Sequence, residues 1–168
     1  TINIGGDGEP VVITTINDDS FGGDSNGDGS ATTPSKLDWC TIGLHTNATL
    51  NIKNTHIYYG GCTPVYGQLH NFGGTLTVED YLLTKSGAMG LMAGLGTNTL
   101  RNTEVTDNVI GVRYHRGTLT MEGNSIHDNT QYGMVNTNTA SPRVVIDARN
   151  TWWGDATGPL HTPENLLG

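Results

Sequence analysis

The chain has 168 residues, a formal net charge of −8, 24 Gly and only 14% charged residues. No basic patch exists to neutralise phosphates, so nucleic acid is excluded as a partner, and no apolar run is long enough to span a bilayer. The composition suits strands joined by many tight corners, where Gly and Asn tolerate left-handed backbone; it does not suit helices.

In chain order, Ile2-Asn3-Ile4 and Val11-Val-Ile-Thr-Thr-Ile16 read as strands separated by a Gly-rich corner. Asn17 to Asp38 then breaks the pattern with Asp18, Asp19, Asp24, Asn26 and Asp28 set among glycines, which marks an inserted acidic loop. From Trp39 a repeat takes hold. Its best copy is Thr118-Leu-Thr-Met-Glu-Gly-Asn-Ser-Ile-His-Asp-Asn129, in which Leu119 and Met121 alternate with polar residues and Ile126 is a second inward anchor. Taking Ile52, Val78, Leu100, Met121 and Ile146 as equivalent gives steps of twenty-one to twenty-six residues. One copy is too short to bury its own apolar face, so copies must stack.

The fold expected is all-β: a right-handed parallel β-helix of about five to seven turns with an inserted acidic loop. Residues 1–168 form one domain, the insertion covers 17–38, and 150–168 form a Trp-Trp-Gly segment and tail. Corner columns are predicted at Asn54, Asp80, Asn102 and Gly123, and at Ser86, Asn108 and Asn129, where stacked amides satisfy corner backbone groups. An antiparallel sandwich is the competing arrangement; it lacks Asn-Gly or Asp-Gly hairpin signals between strands. Cys40 and Cys62 lie about one turn apart, which allows either a disulfide outside the cytosol or two half-buried thiols.

Two motifs sharpen this picture: Asp18-Asp-Ser-Phe-Gly-Gly-Asp-Ser-Asn-Gly-Asp-Gly29, running on to Asp38-Trp39, and Asn150-Thr-Trp-Trp-Gly-Asp-Ala-Thr-Gly-Pro159. With them, Trp39 to Gly158 resembles the right-handed parallel β-helix repeats of secreted and surface-anchored bacterial proteins. The resemblance implies an extracellular or cell-surface location. It implies little about chemistry, because that fold hosts lyases, hydrolases, adhesins and plain stalks.

Asp24-Ser-Asn-Gly-Asp-Gly29 resembles the first half of the calcium loop of EF-hands and dockerins, with oxygen ligands at alternate positions and Gly after the third. Asp24, Asn26 and Asp28 are the expected side-chain ligands of a structural calcium ion, and Ser30 offers its carbonyl. Ser35 stands where that loop has a bidentate Glu, so Asp18, Asp19 or Asp38 must replace it. The other reading is a solvated acidic turn.

Of the adjacent Trp152 and Trp153, one is expected to cap the core and the other to face outward. Trp153, with Tyr114, His115 and Arg113, forms a candidate glycan contact; burial of both tryptophans beneath the tail is the alternative. His45 and His70 are expected at matching outward positions on adjacent turns, with Arg113 on the same column. Stacked exposed polar residues are the default there, since a metal needs further ligands. Thr75-Thr77 and Thr118-Thr120 resemble pieces of flat ice-binding faces, in an array that Arg101 and Asn51 are expected to break.

Asp18, Asp19, Arg113, His115 and Arg116 are pieces that a lyase or hydrolase could use, but no motif joins them. No catalytic residues are assigned. The expected role is a non-catalytic, calcium-stabilised spacer or adhesive segment of a bacterial surface protein. Its expected partners are extracellular polysaccharide or another surface protein. A carbohydrate-active domain, either a polysaccharide lyase, a glycoside hydrolase or a glycan binder, is the alternative, and a filament subunit stacking head to tail is a third. The opening at Thr1 and the ending Asn165-Leu-Leu-Gly168 suggest a segment of a longer chain.

Overall fold

The computed structural model describes residues 1–140 and 144–154. Ten strands, β1 (Ile2–Ile4), β2 (Val11–Ile13), β3 (Ile42–Leu44), β4 (Thr49–Tyr58), β5 (Gly67–Thr84), β6 (Met89–Thr106), β7 (Ile110–Tyr114), β8 (Thr118–Glu122), β9 (Ser125–His127) and β10 (Tyr132–Asn136), pair in parallel as one continuous sheet. The sheet is coiled into a β-solenoid, which rules out the antiparallel sandwich. No helix among the described residues is long and apolar enough to cross a membrane.

Each turn contributes three faces. Face A stacks β3, the starts of β5 and β6, β7 and β10. Face B stacks β1, the start of β4, the middles of β5 and β6, and β8. Face C stacks β2, the ends of β4, β5 and β6, and β9. Four turns are complete, fewer than the five to seven expected. The shortfall arises because residues 14–41 and 59–66 leave the coil, and residues 1–13 supply only faces B and C.

The interior is built from files of equivalent side chains. Ile4, Ile52, Val78, Leu100 and Met121 are successive partners on face B, as the repeat spacing required. Ile13, Ile57, Leu83, Val105 and Ile126 form the file on face C, and Ile42, Leu69, Leu91, Val112 and Met134 the file on face A. Most are fully buried, and each such side chain contributes about 1.5–3 kcal/mol. Ile146 packs against this interior but lies outside the strands. A bridge pairs Ser125 with Trp152. Carried back along the chain, that register sets Ala148, rather than Ile146, beneath Met121.

The corners explain the sequence's small polar residues. Asn54, Asp80, Asn102 and Gly123 all have positive φ and turn the chain between faces B and C. Asn150, beneath Gly123 in the same register, has φ 59° and extends the column. Between faces C and A, Ser86 N donates to Asn108 Oδ1 and Asn108 N to Asn129 Oδ1. Between faces A and B, Asn71 and Asn98 are fully buried, and Asn71 Nδ2 donates to Asn98 Oδ1 at 3.0 Å. These amides supply partners that the bending backbone would otherwise lack.

Candidate functional site

Residues 14–41 do not dangle from the solenoid. They lie as a strap along the corner between faces C and A. Phe21 stacks on Tyr58 with centroids 5.3 Å apart. Lys36 Nζ donates to both the carbonyl and Oδ1 of Asp107, each at 2.8 Å. Leu37 sits against Gly87, and Trp39 lies on Gly60 while its Nε1 donates to Tyr58 O at 2.7 Å. Gly at 60 and 87 leaves room for these side chains, since a Cβ at either would collide with them. A disulfide between Cys40 and Cys62 ties the strap to the loop formed by residues 59–66.

The strap carries the acidic loop. Asp24 accepts from the amides of Asp28 at 3.0 Å and Gly29 at 2.9 Å, so the loop curls around its first carboxylate. Gly27 and Gly29 both have φ 75°, which makes this curl possible without strain. Asp28 accepts from the amides of Ala31 and Thr32 and from the Thr32 hydroxyl. Those bonds, the hydroxyl first, hold its carboxyl below the usual range.

Of the three candidates to replace the missing downstream ligand, only Asp19 joins the group. One carboxylate oxygen from each of Asp19, Asp24 and Asp28 lies within 4.8 Å of the other two. Oxygens of one calcium shell, bound at about 2.3–2.6 Å, lie at most about 5 Å apart, so the three fit one ion. Asp19 Oδ1 is buried and has no hydrogen-bond donor. Burial first, and then the charges of Asp24, Asp28 and Asp18, push its carboxyl above the usual range.

Asp18 and Asp38 are held elsewhere. The carboxylate of Asp18, 3% exposed, accepts from the hydroxyls of Thr14 and Ser20. Burial raises its pKa, but those bonds outweigh it and hold the group below the usual range. Asp38 Oδ2 accepts from Asn17 Nδ2 and Ser35 N. Asn26 Oδ1 accepts from the Asp28 amide and its Nδ2 donates to Asp28 and Thr32, so its amide is engaged within the loop. Ser30 is exposed. Thr32, at the ninth position of the loop, was not singled out from the sequence, although its hydroxyl orders Asp28.

The glycan set is not assembled. Tyr114, a member of that candidate contact, is fully buried, and its hydroxyl donates to Gly117 O at 2.8 Å. It follows Asn71 and Ala93 in an inward file of face A, so alternation along the strand turns its ring to the interior. Arg113 points outward on the same face and donates to Pro64 O at 3.5 Å. His115 is half-buried, and Arg116 is exposed beside it. Trp153, expected to meet sugar, instead packs against the core, where its ring lies over Gly133. The outward residue is Trp152, 50% exposed beside Ser125 on face C. The two halves of the set therefore belong to different faces.

The histidine column is also revised. His70, Met92 and Arg113 do share an outward file of face A, but the residue above His70 is Gly43. His45 lies two positions further on and stacks on Phe72 at 4.8 Å, and Phe72 stacks on His70 at 3.7 Å. A phenyl ring thus separates the imidazoles, which cannot share a metal. Tyr66 covers His70 from the 59–66 loop, with centroids 5.6 Å apart. Burial, and secondarily the proximity of His45, lowers the His70 pKa to about 4. No protein-family model, no curated protein and no solved structure matches the chain.

Proposed function

We propose that the chain is an extracellular, non-catalytic β-solenoid segment of a bacterial surface protein. It acts as a stiff spacer or adhesive surface, and its acidic loop holds a structural calcium ion. The observation that carries this reading is the Cys40–Cys62 disulfide, which pins the acidic strap to the solenoid. Disulfides persist in oxidising compartments and are rare in the cytosol. The Asp19, Asp24 and Asp28 oxygens support the calcium reading, because among the described residues no cationic side chain pairs with these converging charges, and Lys36 is committed to Asp107. Asp19, Asp24 and Asp28 would hold the ion, with Asn26 and the Ser30 carbonyl available after a small turn of the loop. The ion would neutralise the cluster and order the strap.

A glycan-binding reading draws on a single residue, the half-exposed Trp152, whose flat ring suits the C–H face of a sugar. The deciding experiment is calcium titration of the full oxidised chain, followed by melting. A ligand at a hundredfold its Kd stabilises the folded state by about 2.7 kcal/mol. A melting temperature that rises with calcium supports the reading, and an unchanged one removes the ion from it. Cleavage of an acidic polysaccharide by the purified chain would overturn the non-catalytic assignment.

A further inference from the structure

Face B carries two outward files of threonine. Thr49, Thr75, Thr97 and Thr118 are successive partners in the first. Asn51, Thr77, Thr99 and Thr120 are successive partners in the second. Four turns thus present seven threonines and one asparagine as a two-column lattice with unbroken register. Arg101 does not interrupt it, contrary to the expectation from sequence. It belongs to a third file of Lys53, Glu79, Arg101 and Glu122, which runs along the edge of the face.

That third file supplies an independent observation. Its charges alternate, and Arg101 pairs with Glu79 at 3.2 Å and with Glu122 at 3.4 Å. Lys53 pairs with Asp7 at 2.6 Å. In a chain of net charge −8, these ion pairs confine the charge of face B in the complete turns to this edge file, outside the two threonine files. It is also bare. The strap and the 59–66 loop both leave at the corner between faces C and A, while the corners bordering face B in the complete turns are short. Thr55 and Thr103, which face inward, turn their hydroxyls to their own backbone at Lys53 O and Arg101 O. The face B threonines have no such engagement among the described residues.

We propose that face B is an ice-binding surface. Neighbouring strands lie about 4.8 Å apart, and alternate residues of one strand about 6.6 Å apart. Hexagonal ice repeats its oxygens at intervals close to these two. Threonine is restricted at χ1, so rung after rung repeats one disposition of methyl and hydroxyl groups. The methyls line water-excluding rows and the hydroxyls anchor the intervening waters. Ordering a bound water costs about 0–2 kcal/mol, and a surface already in lattice register spreads that cost over many cooperative contacts. The two files carry no charge in the complete turns, which suits a neutral crystal, whereas a charge within them would hold a competing hydration shell. This proposal is independent of the calcium reading.

The test uses the full oxidised chain in slowly grown ice, with enrichment in the ice fraction and microscopic crystal shaping as readouts. The wild type should be enriched over an inert protein of equal size and should facet the crystals. Thr99→Lys, at the centre of the lattice, should fall to the level of the inert protein with an unchanged melting temperature. Val135→Lys, outward on face A, should retain enrichment. Where Thr99→Lys does not fold, Thr97→Lys serves in its place. Exclusion of the wild type from ice, or undiminished enrichment of a folded lysine variant, would overturn the proposal. So would retention on microcrystalline cellulose in preference to ice, or burial of the face in a stable dimer.

Discussion

The backbone amide of Ser86 donates to Oδ1 of Asn108 at 2.9 Å, one turn further along the solenoid. Asn108 repeats the gesture toward Asn129 and also donates to Leu83 O at 3.1 Å. The corner between faces C and A is thus held by side-chain amides that stand in for missing strand partners. Asn108→Leu keeps the volume but strands the Ser86 amide and the Leu83 carbonyl. We expect a loss of about 3 kcal/mol, since each buried unsatisfied group costs about 1–3 kcal/mol. A reduced urea midpoint with an unchanged slope will check it.

Gly87 and Leu37 give a separable effect. Gly87→Val would drive its side chain into Leu37 and lift the strap. Overpacking of this kind costs about 1–3 kcal/mol, and here the strap can yield while the coil keeps its own ladder. Amide exchange should therefore accelerate across residues 14–41 while the interior of β5 and β6 stays protected.

At Asp19 the effect of substitution should reverse sign with calcium. Its folded-state pKa is raised above the ordinary 3.8 by burial and by neighbouring carboxylates. The cluster is therefore most comfortable below that pH and loses stability as the pH rises through the folded value. In cation-free buffer at neutral pH, Asp19→Asn should raise the melting temperature by relieving this repulsion. Near pH 3 the gain should vanish. In saturating calcium the wild type should melt above the variant. Equal calcium responses in the two proteins would detach Asp19 from the site.

His70 predicts an acid-side weakness. Its pKa is lowered from 6.5 to about 4 by burial and by His45. The unfolded chain therefore takes up the proton first. Stability is complete above the ordinary value, declines as the pH falls through the window from 6.5 toward 4, and then levels off in this term. The groups packed around it are Phe72, Tyr66 and, along its file, Met92 and Arg113. His70→Phe should flatten that part of the pH–melting curve. NMR titration of the imidazole in the wild type will locate the midpoint.

The stacking order was legible from residue types alone. Period-two apolar pairs at Leu50–Ile52, Leu76–Val78 and Leu119–Met121 demand a buried face. Left-handed corners demand residues such as Asn54, Asp80, Asn102 and Gly123, and both constraints are local. The acidic loop was legible for the same reason: Asp24, Asn26 and Asp28 lie within five residues. What tertiary structure decided were the relations between turns. Trp152 pairs with Ser125, so alternation carries Trp153 into the interior beneath Ile126 and leaves Trp152 outside. Tyr114 turns inward because alternation from Val112 leaves it no other side. Asp19 meets Asp24 and Asp28 only because the strap folds back on itself. Thr97 and Thr99 complete the lattice of face B although Asn98, not an aliphatic residue, lies between them. Chain composition determines that rungs must stack; their exact offsets, and hence which side chains become neighbours, follow from packing energies summed over the whole coil.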